Sequence, residues 1–88
     1  MQVYVFDTYV KSRQNQIMHF DVLLPVNDTS QAIQAAKSWL ATIGENDATV
    51  TSRECRYCHQ EHASDTISAA IRNQGYFIYP MEGCPGLK

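Results

Sequence analysis

The segment Cys55-Arg56-Tyr57-Cys58-His59-Gln60-Glu61-His62, with Cys84 further on, holds all three cysteines and two of the three histidines of the chain. Two thiolates at C-x2-C spacing grip one metal ion when a tight turn brings both sulfurs to tetrahedral separation. Cys84 and one histidine would complete a Cys3His set, a known structural zinc pattern. The expected metal set is Cys55, Cys58, His62 and Cys84, with zinc as the cofactor. His59 adjoins Cys58, so the choice between His59 and His62 stays open. Three other readings stand beside this one. The thiols can be plain reduced cysteines near solvent-facing histidines. Cys55 and Cys58 can form a thiol-disulfide redox pair, with Arg53 and Arg56 depressing a thiolate pKa. C-x-x-C-H also spells covalent haem attachment, without an export signal to support it. A single C-x2-C is only a half-site.

A second constellation is Asp7, His19 and Asp21. If the two segments that carry them pair as strands, all three share one sheet face. A histidine between two carboxylates can serve as a general base or a metal ligand, because a carboxylate fixes its tautomer and raises its basicity. Against that, charged groups on an open sheet face are commonly just solvated. Tyr4, Tyr9, Tyr57, Tyr76 and Tyr79 could mark a binding face, since the ring buries area while the hydroxyl stays wet, or could simply pack in strands. Gly44, Gly75, Gly83 and Gly86 form no phosphate loop. No Ser–His–Asp order with local support is present.

The elements that would position these groups follow from periodicity. Residues 2–10 are β-branched and aromatic and read as a strand. Residues 11–16 are a polar loop, and 17–24 a second strand stopped by Pro25. In the hairpin they form, Tyr4, Phe6, Thr8 and Val10 line up with Met18, Phe20, Val22 and Leu24 on one face. Val3, Val5, Asp7 and Tyr9 share the other with Ile17, His19, Asp21 and Leu23. Ile33, Ala36, Leu40 and Ile43, flanked by Trp39, make the buried stripe of a helix. Asp28 caps its start and Gly44 ends it. Residues 48–54, Thr-rich, read as a third strand. A second helix runs from the N-cap Ser64 to Gly75, and 76–79 form a fourth strand. The tail, 81–88, is turn-rich.

The expected fold is a single α+β domain over residues 1–88 in the order ββαβαβ. Strand–helix–strand units normally join parallel neighbours, which predicts a four-stranded mixed sheet with both helices on one face. Strands 3 and 4 would then exit at one edge and bring Cys84 to Cys55 and Cys58. The open face would show Val3, Val5, Ile17 and Leu23, and a second copy covering them predicts a homodimer.

Composition limits the partners. At 88 residues the chain has room for one core. It is 44% hydrophobic and 18% charged, too apolar for a disordered chain. The net charge is -2, and Lys11 and Arg13 are too few for a nucleic-acid footprint. No apolar run approaches the ~20 residues that span a bilayer. The N-terminus shows no secretory pattern, so the expected compartment is the cytosol, where cysteines stay reduced.

Four stretches together resemble one small bacterial family. They are Val3-Tyr4-Val5-Phe6-Asp7-Thr8-Tyr9-Val10, Met18-His19-Phe20-Asp21-Val22, residues 49–59, and Gly75-Tyr76-Phe77-Ile78-Tyr79-Pro80-Met81-Glu82-Gly83-Cys84. The family is catalogued as domain of unknown function two thousand and twenty-four. The resemblance implies a compact α+β domain and no activity or functional residue. The expected role is a small binding or regulatory domain, perforce of unknown partner. Its alternatives are a redox protein using Cys55 and Cys58 and an inert protein-interaction scaffold.

Overall fold

The structure, a computed structural model, describes residues 1–84. The last four residues of the expected turn-rich tail lie outside the described residues. The order is β1 (Gln2–Lys11), β2 (Ile17–Leu24), α1 (Thr29–Thr42), β3 (Cys55–His62), α2 (Asp65–Gln74) and β4 (Phe77–Pro80). The α+β class and the ββαβαβ order are as expected.

The hairpin forms in the expected register, with Phe6 opposite Val22, Thr8 opposite Phe20 and Asp7 opposite Asp21. Only this pairing puts the apolar set of both strands on one side. Both helix caps also form. Asp28 accepts from Gln31 N at 3.1 Å, and Ser64 accepts from Ile67 N at 3.3 Å.

Three expectations are corrected. First, the sheet is not mixed. Its order is β3-β1-β2-β4, and every neighbouring pair is antiparallel. The hairpin leaves two free edges, and each later strand takes one of them. The β2–α1–β3 connection therefore passes over β1 instead of joining neighbours.

Second, the helices lie on opposite faces. Ala32, Ala35, Ala36 and Leu40 of α1 pack with Phe6, Phe20, Val22 and Leu24. Ile67 and Ile71 of α2 pack with Val3, Val5 and Leu23 on the other side. The apolar residues expected to stand open for a second copy are thus covered within one chain, except Ile17, which is exposed. A helix of this length, about 15 Å, matches the three strand spacings, about 14 Å, between the β3 and β4 edges. It can therefore carry the chain across one end of the sheet. The other end, with Asp7, Tyr9 and His19, stays uncovered.

Third, residues 48–54 are not a strand. Glu54 folds back on Thr51, accepting from its backbone N at 2.7 Å and its hydroxyl at 2.6 Å. Cys55 N bonds Thr51 O at 3.0 Å. A side chain offering the backbone local bonds outcompetes the β preference of threonine. The third strand is instead Cys55–His62, whose polar sequence lacks strand alternation because it lies at an exposed edge.

The turn after β4 is set by close contact. His19 N donates to Glu82 O and Met81 N donates to His19 O, both at 2.8 Å. Gly83 sits at φ 77°, and a Cβ there would collide with the carbonyl oxygen of Ile17. Gly83→Ala is therefore expected to cost about 1–3 kcal/mol, measured by urea unfolding. A midpoint unchanged from the parent would show that the turn is not tightly seated.

Candidate functional site

Asp7, His19 and Asp21 meet at the uncovered end of the sheet. Asp7 and Asp21 are direct cross-strand partners, and His19 stands opposite Tyr9. One potential ligand atom from each lies within 4.8 Å of the others. His19 Nε2 donates to Asp7 Oδ1 at 2.8 Å. The Tyr9 ring stacks on the His19 imidazole, centroids 4.1 Å apart and planes within 8°. This stack restricts rotation of the imidazole ring.

The two carboxylates are pushed apart in proton affinity. The hydrogen bond from His19 holds Asp7 below the usual carboxylate range against its partial burial, helped by contact with Asp21 and only then by the charges of His19 and His59. Burial, then contact with Asp7, pushes Asp21 up to about 6. Asp21 Oδ1 is buried and finds no hydrogen-bond partner among the described residues. An acceptor left in that state is costly unless a proton or a cation satisfies it.

The expected thiol–histidine metal set is not brought together. Cys55 is buried on the α1 face, where the Thr8 hydroxyl donates to its sulfur at 3.5 Å. Cys58 is exposed, the extra residue of a bulge between the Phe6–Tyr57 and Val5–His59 pairs. His62 pairs with Gln2 at the other end of β3, about 23 Å of strand from Cys55. Cys84 follows β4 at the opposite edge, its thiol donating to His19 O at 3.4 Å. The expected neighbouring of strands 3 and 4 does not occur, because β3 and β4 lie at opposite edges of the sheet. Among the described residues, the group of three or more ligand atoms that does converge is Asp7, His19 and Asp21.

The redox pair meets the same geometry. Cys55 and Cys58 lie three residues apart on a strand, about 10 Å, whereas a disulfide needs Cα atoms within about 7 Å. Burial pushes the Cys55 and Cys84 thiols up, away from reactive thiolates.

Sequence reasoning placed Asp7, His19, Asp21 and Tyr9 on one face but did not foresee the stacking of Tyr9 on His19. It missed His59, whose approach depends on where β3 pairs.

The model of the family described as Domain of unknown function (DUF2024) matches residues 1–81. The chain belongs to this family. It is also similar to a solved protein, NE1680 from Nitrosomonas europaea, at 57% identity and a TM-score of 0.87. That match covers 96% of this chain and 99% of the other. No curated protein matches. Neither description names an activity or a ligand. This DUF2024 chain has no helix, among the described residues, long and apolar enough to cross a membrane.

Proposed function

We propose that this protein is a small binding domain whose ligand is a divalent cation held by Asp7, His19 and Asp21. The observation that carries the reading is the buried, unpartnered Asp21 Oδ1 in a group whose ligand atoms lie within 4.8 Å. Ligands on a tetrahedral ion at ~2.1 Å stand about 3.4 Å apart, so small side-chain rotations close the site. The ion would take the place of the hydrogen that His19 Nε2 shares with the Asp7 carboxylate, the ring proton then residing on Nδ1. Two carboxylates would balance its charge. Mixed imidazole and carboxylate donors suit zinc or manganese. Three protein ligands leave a coordination position for water or a further ligand.

Titration of untagged protein with zinc or manganese, read by calorimetry and by amide shifts, tests this. One equivalent per chain with shifts centred on residues 7, 19 and 21 is expected. No heat and no localised shifts at millimolar metal would end the reading.

A second reading draws on the 2.8 Å His19–Asp7 contact, which also suits proton transfer. In that case the same residues would bind no metal, and a substrate would have to reach Asp21. For compartment we favour the cytosol. The support is that all three cysteines are free, as a reducing environment would leave them.

A further inference from the structure

We propose that β3 pairs edge to edge with β3 of a second copy of this chain. The two strands would run antiparallel about a two-fold axis between Cys58 and His59, perpendicular to the sheet. The two edges of the sheet differ. β4 is four residues long and ends in Pro80, which has no donor to offer. β3 is eight residues long, contains no proline or lysine, and is exposed along all but its first residue. A long edge presents a row of unpaired backbone groups.

The occupant follows from the charges. Edge charges normally repel a second strand. Here the two charges of β3, Arg56 and Glu61, have opposite sign and lie equidistant from its centre. About the proposed axis, Arg56 of each copy faces Glu61 of the other, and Tyr57 faces Gln60. Faces agree as well. Arg56 pairs with Asp7 and Glu61 with Val3 on β1, so both charges project on the same side of the sheet. A two-fold axis perpendicular to the sheet keeps that side common to both copies. His59 Nε2 donates to Glu61 Oε1 at 2.9 Å, which fixes Glu61 on this side and leaves its second oxygen. Among the described residues Arg56 makes no ion pair. A shift of one residue sets Arg56 against Gln60 or His62 and loses both charge pairs. A parallel arrangement in register opposes like charges. The bulge at Cys58 falls on the axis, so the pairs on either side of it carry the contact.

The pairing differs from a dimer through the open sheet face, because it leaves Asp7, His19 and Asp21 uncovered. Sedimentation velocity tests it on the wild-type chain and on Arg56→Glu and Glu61→Arg, with circular dichroism confirming folding. The wild type is expected to show twice the chain mass at roughly 0.1 mM. Each single variant is expected to weaken dimerisation about tenfold or more. Mixing the two single variants at equal ratio restores both charge pairs and is expected to restore the dimer. A monomeric wild type overturns the proposal. So does a dimer that both single variants retain unchanged, and so does a mixture that stays monomeric.

Discussion

Asp21→Asn is expected to weaken the proposed zinc or manganese binding about 100-fold or more, and to leave the chain folded and, near neutral pH, more stable. The binding loss follows from removing one of three ligands. Even partners one shell further out typically cost 10–100-fold. The stability gain follows from proton linkage. In the fold Asp21 keeps its proton up to about 6, against an ordinary 3.8. Between those values the folded chain binds more protons than the unfolded one, so stability falls as pH rises through the window. Above about 6 the penalty is present in full. Asp21 is half-buried, so solvent screening reduces it to about 1 kcal/mol. Asparagine keeps the shape and removes the charge. The variant should therefore match the parent at pH 4 and exceed it at pH 7. Asp7 acts in the opposite sense, because its carboxyl is lowered. Its contribution is present above the ordinary value and disappears only in stronger acid, outside this window. Urea unfolding at pH 4, 5, 6 and 7, with a metal titration on both proteins, checks the pair of effects. Equal metal affinity in the variant would defeat the cation site. A stability difference that does not change with pH would defeat the account of Asp21.

Phe20→Ala should remove about 3–5 kcal/mol of stability, a large share of the 5–15 kcal/mol typical of a domain. Phe20 has no exposed surface. Its ring packs against Trp39 with centroids 4.7 Å apart, joining β2 to α1. It stands between Thr8 on β1 and Pro80 on β4, so truncation opens a cavity beneath three strands at once. Ile17→Ala, at an exposed position of the same strand, is the matched control and should stay within about 0.5 kcal/mol. Equal losses at both positions would show that the core does not centre on Phe20.

Sequence alone determined the local structure. The two-residue period sorted the faces of β1 and β2, fixed their register and set Asp7, His19 and Asp21 side by side. The four-residue interval from Ala36 to Leu40 and the caps at Asp28 and Ser64 delimited the helices, although α1 buries Ala32 and Ala35 beside them and leaves the expected Ile33 and Ile43 half-buried. These features rest on contacts between near neighbours, so the residues that carry them also reveal them. Residues 48–54 are the local exception, where a few Glu54–Thr51 bonds outweighed the preference of threonine for strands.

Tertiary structure alone decided which edge each later strand takes. No residue of β3 encodes that it pairs with β1 instead of β4. That choice depends on the closure of two helical connections and on which faces of the hairpin need cover. It separated Cys55 and Cys58 from Cys84, placed α2 over Val3, Val5 and Leu23, and left the carboxylate–histidine cluster open. The thiol–histidine motif was conspicuous in sequence because its residues are contiguous. On an extended strand, contiguity spreads side chains along the edge, and it is cross-strand pairing that gathers them.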